Sequence, residues 1–143
     1  MFEKILYPTD FSDVSRKAIE YIAKLKDAGT REVVVMHVID WKADCIEKLP
    51  TNLKAELQRE LKKEATKELE HIKSELEQSD FAIKLRIEIG KPFQEILKAE
   101  KEENVSAIVL GSHGKSNIKE VFLGSVSEHI IRKSRTPVLV IKR

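Results

Sequence analysis

The segment from Val33 to Ile39 reads Val-Val-Val-Met-His-Val-Ile and does not alternate between apolar and polar residues. A strand with one face in water alternates with a period of two, whereas a strand covered on both faces is apolar along its length. Covered faces are typical of parallel sheets, because their crossover connections place helices on each side. The segment therefore predicts an inner strand of a parallel α/β sheet.

The rest of the chain repeats a strand-then-helix pattern. Apolar runs are separated by stretches whose apolar residues recur at helical spacing, and Ser12 and Gly29 are suitable caps for the first helix. Five strands alternating with four helices predict one α/β domain over residues 1–143, a five-stranded parallel sheet between helices. The predicted strands are 2–7, 33–39, 81–89, 105–110 and 136–141, and the helical patterns begin near Ser12, Leu57, Pro92 and Ser125.

Composition limits the classes of function. Lys and Arg together number 26 and Asp and Glu 24, so the charges are nearly balanced and give no basic excess of the kind that nucleic-acid binding requires. Cys45 is the single cysteine, which excludes an internal disulfide framework. No apolar run reaches membrane-spanning length. We therefore expect a cytoplasmic protein that binds neither nucleic acid nor membrane.

Three of the five glycines lie in one motif after the fourth predicted strand. The motif is Gly111-Ser112-His113-Gly114, nine further residues, and then Gly124-Ser125. Glycine allows backbone N–H groups to approach a ligand closely, and a helix N-terminus favours anions. The motif predicts a phosphate-binding loop.

Its spacing excludes two common nucleotide motifs. Gly114-Lys115-Ser116 resembles the end of a Walker A loop, but the glycine required five positions before Gly114 is Val109. The dinucleotide fingerprint is also missing, because Gly111 and Gly114 have no glycine at the required offsets. The sequence from Ser125 to Glu128 fits a capping box, with Ser125 predicted at the N-cap and the N–H groups of the next two residues facing an anion.

The opening Lys4–Ser12, the end of the second strand at 37–40, Gly90-Lys91-Pro92, the glycine motif and the closing 136–141 together resemble the ATP-binding members of the universal stress protein family. The resemblance extends over the whole chain. It implies an adenine-nucleotide-binding, Rossmann-like sandwich of the adenine-nucleotide alpha-hydrolase type, for which we expect the strand order 3-2-1-4-5. The family's Gly-x₂-Gly-x₉-Gly-Ser/Thr motif distinguishes the members that bind ATP, and it is complete here.

The resemblance also implies ligands and site residues. We expect ATP, or AMP or ADP, with Mg²⁺ or Mn²⁺ held mainly through the phosphates. The glycine motif would hold phosphates and ribose, the loop after the first strand would line the ribose and adenine, Val38 would meet adenine through its backbone, and Leu110 would pack beneath. The residues implied are Pro8, Thr9, Asp10, Val38, Leu110, Gly111, Ser112, His113, Gly114, Gly124, Ser125, Val126 and Ser127.

Alternatives exist for several residues. Asp10 could cap the first helix, Lys115 could be solvated, Trp41 is more simply a cover for the core than a base-stacking residue, and His37 is expected to be a core residue. We assign no catalytic residue and no protein metal ligand.

The last strand, Val138-Leu139-Val140-Ile141, is continuously apolar, and an exposed edge of this kind favours pairing with another chain. The family resemblance implies a homodimer joined through this strand. Three functions remain open: a nucleotide-dependent regulatory module with an unidentified protein partner, a slow or partner-dependent ATPase, and a dimeric interaction protein that binds AMP or no nucleotide.

Overall fold

The computed structural model describes residues 1–42, 46–112 and 124–142. The described residues form five strands and four α-helices in the predicted alternation. Two short 3-10 turns are also present, at Lys26–Ala28 and Ile46–Lys48. The elements are β1 Lys4–Pro8, α1 Asp13–Leu25, β2 Glu32–Asp40, α2 Thr51–Glu77, β3 Ala82–Gly90, α3 Pro92–Glu102, β4 Ala107–Gly111, α4 Ser125–Lys133 and β5 Val138–Ile141.

All five strands belong to one parallel sheet with the order β3-β2-β1-β4-β5, which confirms the predicted order. The two parallel neighbours of β1 are therefore β2 and β4, and the chain changes direction across the sheet at β1. The pairing of β1 with β2 ends at Pro8 beside Met36, whereas β2 continues beside β3 as far as Asp40. The last four residues of β2 extend beyond the end of β1.

The sheet has a hydrophobic core on each face, which explains why β2 is apolar without alternation. Val33 and Val35 pack in the cluster that contains residues of α1 and α2, whereas Val34 and Met36 pack in the cluster that contains residues of α3 and α4. All four are fully buried. Alternate side chains of β2 thus fill opposite cores, as the sequence pattern predicts.

Helix α2 is buried along only part of its length. Its apolar stripe packs on the sheet from Ala65 onward, through Leu69, Ile72 and Leu76. Before Ala65 none of the residues of α2 is buried, and Leu53 is 48% exposed. The sequence places Leu57 and Leu61 in the same stripe, but in the structure they are only half-buried.

The described helices include none that is long and apolar enough to cross a membrane.

The edge strand β3 carries ion pairs on its polar face. Arg86 contacts Glu102 of α3, and its side chain is only 12% exposed. Lys84 donates to both carboxylate oxygens of Glu103, at 2.5 and 2.7 Å. This hydrogen bonding holds the pKa of Glu103 below its usual value. The long side chains of Lys84 and Arg86 therefore cover the apolar surface on this face of β3.

Replacing Glu103 tests the contribution of this pair. A carboxyl group whose pKa is lowered by folding stabilises the protein above its unfolded pKa of about 4.3, and the stabilisation is lost as pH falls through the folded pKa. Glu103→Gln should lower the free energy of unfolding near neutral pH by about 1–3 kcal/mol. It should also lose less stability on acidification than the parent protein in urea denaturation. Glu70→Gln, on an exposed part of α2, is the control. Equal acid sensitivity of the parent and Glu103→Gln would contradict the assignment.

Candidate functional site

A cleft of about 780 Å³ lies at the carboxyl edge of the sheet, where the chain direction reverses between β1 and β4. Such switch points are where open α/β sheets bind ligands. The walls are formed by the loop after β1, the projecting end of β2, the end of β4, the start of α4 and the side of α2. The cleft is therefore formed by segments from both halves of the chain.

Ten of the thirteen residues predicted for the site line this cleft: Pro8, Thr9, Asp10, Val38, Leu110, Gly111, Gly124, Ser125, Val126 and Ser127. Ser112 does not line it, although it was predicted to. Its side chain is buried, and its backbone donates to the Ile141 carbonyl and accepts from the Gly124 N–H, each at 2.8 Å. Ser112 thus joins the two described parts of the glycine motif. His113 and Gly114, as well as Lys115, lie outside the described residues.

Thr9 organises the loop after β1. Its N–H donates to the Met36 carbonyl at 2.7 Å, and its own carbonyl accepts from Nδ1 of His37 at 2.8 Å. Its hydroxyl oxygen accepts from the Ser15 hydroxyl at 2.7 Å and from the Phe11 N–H at 3.0 Å. With only 5% of its surface exposed, Thr9 shapes the cleft wall mainly through these internal bonds.

Phe11 and His37 form a ring pair that sequence reasoning missed. The ring centroids lie 4.3 Å apart with an interplanar angle of 26°, and both residues line the cleft. Phe11 has φ of 65°, a left-handed conformation that is costly for a bulky residue and is retained mainly where the surroundings enforce it. The expectation that His37 is a core residue was wrong. The pairing of β1 with β2 ends at Met36, so His37 lies where the sheet opens into the cleft.

Asp10 forms a local turn before α1. Its Oδ1 accepts from the Ser12 N–H at 3.0 Å, and Ser12 rather than Asp10 is the N-cap, accepting from the Ser15 N–H at 3.2 Å. The capping role considered for Asp10 therefore belongs to Ser12, as predicted for that residue. The Asp10 side chain is positioned along the cleft wall.

Gly111 is required for a reason other than contact with a ligand. A Cβ at this position would lie 3.0 Å from Cγ1 of Val14 and 3.3 Å from the backbone nitrogen of Ser15. Helix α1 therefore occupies the space that a side chain would need. On its other side, the Gly111 carbonyl accepts from the Ser127 hydroxyl at 2.7 Å, which fixes the start of α4 against the end of β4.

The capping-box prediction for α4 was wrong. Gly124 is the N-cap, in an extended conformation with φ of −64° and ψ of 158°, and Ser125 is the first helical residue. The first helical hydrogen bond runs from the Glu128 N–H to the Gly124 carbonyl at 3.0 Å, while the Glu128 carboxylate pairs with Arg132 at 2.7 Å. The N–H groups of Ser125, Val126 and Ser127 precede that bond and so have no acceptor within the helix.

The projecting part of β2 has backbone groups directed into the cleft at Val38. Backbone groups of alternate residues point to the same side of a strand, and the Met36 carbonyl points toward β1, where it accepts from Thr9. The N–H and carbonyl of Val38 therefore point to the same side, but β1 has already ended there. Among the described strands, none pairs with this donor and acceptor, which lie side by side at the cleft.

The electrostatics of the described walls are mixed. Four carboxylates line the cleft, from Asp10, Asp40, Glu64 and Glu68, together with two cationic side chains, from Arg16 and Lys67. No group of three or more His, Cys, Asp or Glu residues within the described ranges could hold a metal ion. Below the cleft, burial raises the pKa of Tyr7, whose neutral hydroxyl donates to the Ser15 carbonyl at 2.5 Å.

The fold and the cleft define an α/β protein with its candidate site at the switch point of a parallel sheet. The model of the Universal stress protein family matches residues 1–142. The chain therefore belongs to the universal stress protein family.

Individual relatives agree with this assignment. Universal stress protein MJ0577 of Methanocaldococcus jannaschii is 42% identical, in an alignment covering 100% of this chain and 96% of the relative. The solved structure of hypothetical protein MJ0577 superposes with a TM-score of 0.92 at 44% identity, covering 100% of this chain and 97% of that one. A universal stress protein family protein from Arabidopsis thaliana, solved with AMP bound, shares the fold with a TM-score of 0.69 at 18% identity, covering 98% and 91% of the two chains.

A side chain at position 111 should strain the packing of α1 against β4. We expect Gly111→Ala to lower the free energy of unfolding by about 1–3 kcal/mol, because a Cβ would press against the Val14 side chain and the Ser15 nitrogen and force them to shift. Gly124→Ala serves for comparison, because the extended backbone of Gly124 suits any residue and the expected loss is limited to that of a changed N-cap, about 1 kcal/mol or less. Urea denaturation of both variants measures the difference. Equal stabilities would mean that α1 moves away without cost.

Proposed function

We propose that this protein binds an adenine nucleotide, with ATP as the expected ligand, and acts as a nucleotide-dependent regulatory module of the cytoplasm. The observation that carries the proposal is the presence, on two sides of one cleft, of backbone groups that take no part in the sheet and helix hydrogen bonds of residues 1–42, 46–112 and 124–142. Val38 offers a donor and an acceptor on one side, and the first turn of α4 offers N–H groups on the other. A nucleotide has a polar base edge and anionic phosphates at its two ends, so it fits this arrangement.

The base end of the proposed site is the wall formed by β2 and the loop after β1. The neighbouring N–H and carbonyl of Val38 can pair with the N1 acceptor and N6 donor of adenine. The Phe11–His37 ring pair and Leu61 supply apolar contact area in the same cleft. In this proposal Asp10 accepts from a ribose hydroxyl, and the strained loop conformation is stabilised by the contacts of Thr9.

The phosphate end is the start of α4. The N–H groups of Ser125, Val126 and Ser127 and the helix dipole favour an anion there. Gly124 and Gly111 are linked through Ser112 and Ser127, so this end of the cleft is held in place before a ligand arrives. The described residues fit the phosphates, and His113 and Gly114 are proposed to contribute from the undescribed part of the motif.

A divalent cation is proposed to bind with the nucleotide rather than to the protein alone. Mg²⁺ commonly keeps several waters and binds through substrate phosphates, and Mn²⁺ binds similar oxygen ligands. The carboxylates of the cleft wall make such a cation useful, because it offsets their repulsion of the phosphates. Bound in this way, the cation would supply charge neutralisation.

A regulatory role is supported over rapid hydrolysis by what the hydroxyl groups in the cleft contact. Phosphoryl transfer requires a positioned nucleophile and groups that stabilise the transferred phosphoryl. The hydroxyls of Ser15 and Ser127 instead donate to Thr9 and to the Gly111 carbonyl. These bonds hold the loops in place, and they use the hydroxyl donors that could otherwise orient the attacking water of a hydrolysis reaction. One structural neighbour also supports an adenine nucleotide as the ligand: the Arabidopsis protein, which shares the fold, was solved with AMP bound.

Calorimetric titration tests the proposal. The parent protein should bind ATP in the presence of Mg²⁺, and Gly124→Val should weaken binding by at least about tenfold, since a branched side chain would crowd the phosphate end. Ala82→Val, at the exposed start of β3, is the matched control and should bind like the parent. Failure of the parent protein to bind ATP, ADP or AMP would refute the proposal.

We also propose a homodimer joined through β5. This strand lies at the edge of the described sheet, with no described strand on its outer side, and such an edge offers backbone groups for pairing. Val138 and Val140 pack inward against the core, whereas Leu139 is 41% exposed. Antiparallel pairing with a second copy would cover both the edge and this leucine.

Leu139→Lys should convert the proposed dimer to monomer without loss of the fold, because a charged residue at an exposed position opposes edge pairing. Sedimentation velocity measures the assembly, and far-UV circular dichroism checks the fold. Lys142→Glu, just beyond the strand, is a charge-changing control. A parent protein that sediments as a monomer, or a variant that remains dimeric, would remove β5 from the interface.

A further inference from the structure

We infer that Arg16 is a phosphate-binding residue that exchanges its ion pair with Glu68 for a phosphate oxygen of the bound nucleotide. The inference rests on the proposed function and assigns to Arg16 a role in the same cleft. It concerns a residue outside the glycine motif.

Arg16 lies in the first turns of α1, close to the proposed phosphate end. Helix α1 packs directly against Gly111, where a Cβ would lie 3.3 Å from the nitrogen of Ser15, the residue before Arg16. The Arg16 side chain lines the same cleft as Gly111 and Ser127. A long arginine side chain that starts at this point therefore has access to a ligand held at the end of β4.

The present partners of Arg16 hold it at the cleft wall. Its guanidinium is paired with the Glu68 carboxylate of α2, and its Nε donates to the Phe11 carbonyl at 3.3 Å. The paired side chains are 41% and 43% exposed, and exposed ion pairs are weak. Breaking the Arg16–Glu68 pair therefore costs little free energy.

The charges favour a phosphate as the new partner. A polyphosphate carries several negative charges where Glu68 carries one, and guanidinium matches phosphate oxygens with two parallel N–H groups. The described walls hold four carboxylates and only Arg16 and Lys67 as cationic side chains. An anionic ligand in this cleft would therefore pair with Arg16. The Arg16 side chain is already held near the loop by its hydrogen bond to the Phe11 carbonyl.

If Arg16 leaves Glu68 for a phosphate, variants of the two residues should change ATP affinity in opposite directions. If the pair only stabilises the fold, both variants should change affinity in the same direction. Arg16→Gln should weaken ATP binding by about tenfold and adenosine binding much less, because adenosine has no phosphate and loses only the support that Arg16 gives to the Phe11 carbonyl. Glu68→Gln should strengthen ATP binding by about threefold, because it releases Arg16 from its competing partner. A structural pair would give two variants that both weaken ATP and adenosine alike.

Two matched controls separate this role from a general change in charge. Lys17→Gln removes the neighbouring positive charge, whose Nζ donates to the Lys142 carbonyl at 3.3 Å, outside the cleft lining. It should leave ATP binding unchanged. Glu64→Gln removes a carboxylate of the cleft wall that is not the partner of Arg16, and it should strengthen ATP binding less than Glu68→Gln does.

The parent protein, Arg16→Gln, Glu68→Gln and the double variant form a double-mutant cycle. Calorimetry on the full chain measures the affinity of each for Mg²⁺-ATP and for adenosine. The gain from Glu68→Gln should disappear when Arg16→Gln is already present, since it acts through Arg16. A gain that persists in the double variant, or an Arg16→Gln variant that binds ATP like the parent, would overturn the inference. Those results would leave the proposed function intact, whereas absence of ATP binding by the parent protein would refute the function itself.

Discussion

The cleft depends on the difference in length between two neighbouring strands. Strand β1 ends at Pro8, where the Thr9 N–H makes the last bond to the Met36 carbonyl, and β2 continues as far as Asp40 beside β3 alone. The unpaired edge of Val38, the location of His37 in the cleft and the turn that begins α1 all follow from this step. The ends of the strands form the bottom of the cleft, and the cleft is deep because β1 ends four residues before β2 does.

The contacts around Thr9 and Gly111 keep that opening in one shape. Thr9 connects the loop to β2 through its backbone and to α1 through its hydroxyl, while Gly111 allows α1 to approach β4 closely. Residues of the proposed site thus have internal partners that hold the backbone in position. Such preorganisation reduces the ordering that a ligand must impose when it binds.

The sequence predicted the architecture and most of the cleft lining, because strand patterns and the glycine spacing are local signals. It failed where the outcome depended on contacts between distant segments. Ser125 and Glu128 have capping-box spacing, but the extended backbone of Gly124 takes the N-cap. His37 was assigned to the core because its neighbours are apolar, and only the register of β1 shows otherwise. Arg16 could have been considered, since first-turn residues of a helix after a parallel strand lie at the ligand-binding edge.

The first half of α2 connects the cleft to the outer surface of the molecule. Residues 51–64 include no buried side chain, so this part of the helix gains little stability from the core and belongs to the segments that open most readily. Leu61 and Glu64 of this segment nevertheless line the cleft. A molecule bound in the cleft would add to the few contacts that hold this segment. Ligand binding should therefore slow amide hydrogen exchange along the first half of α2, on the surface of the molecule.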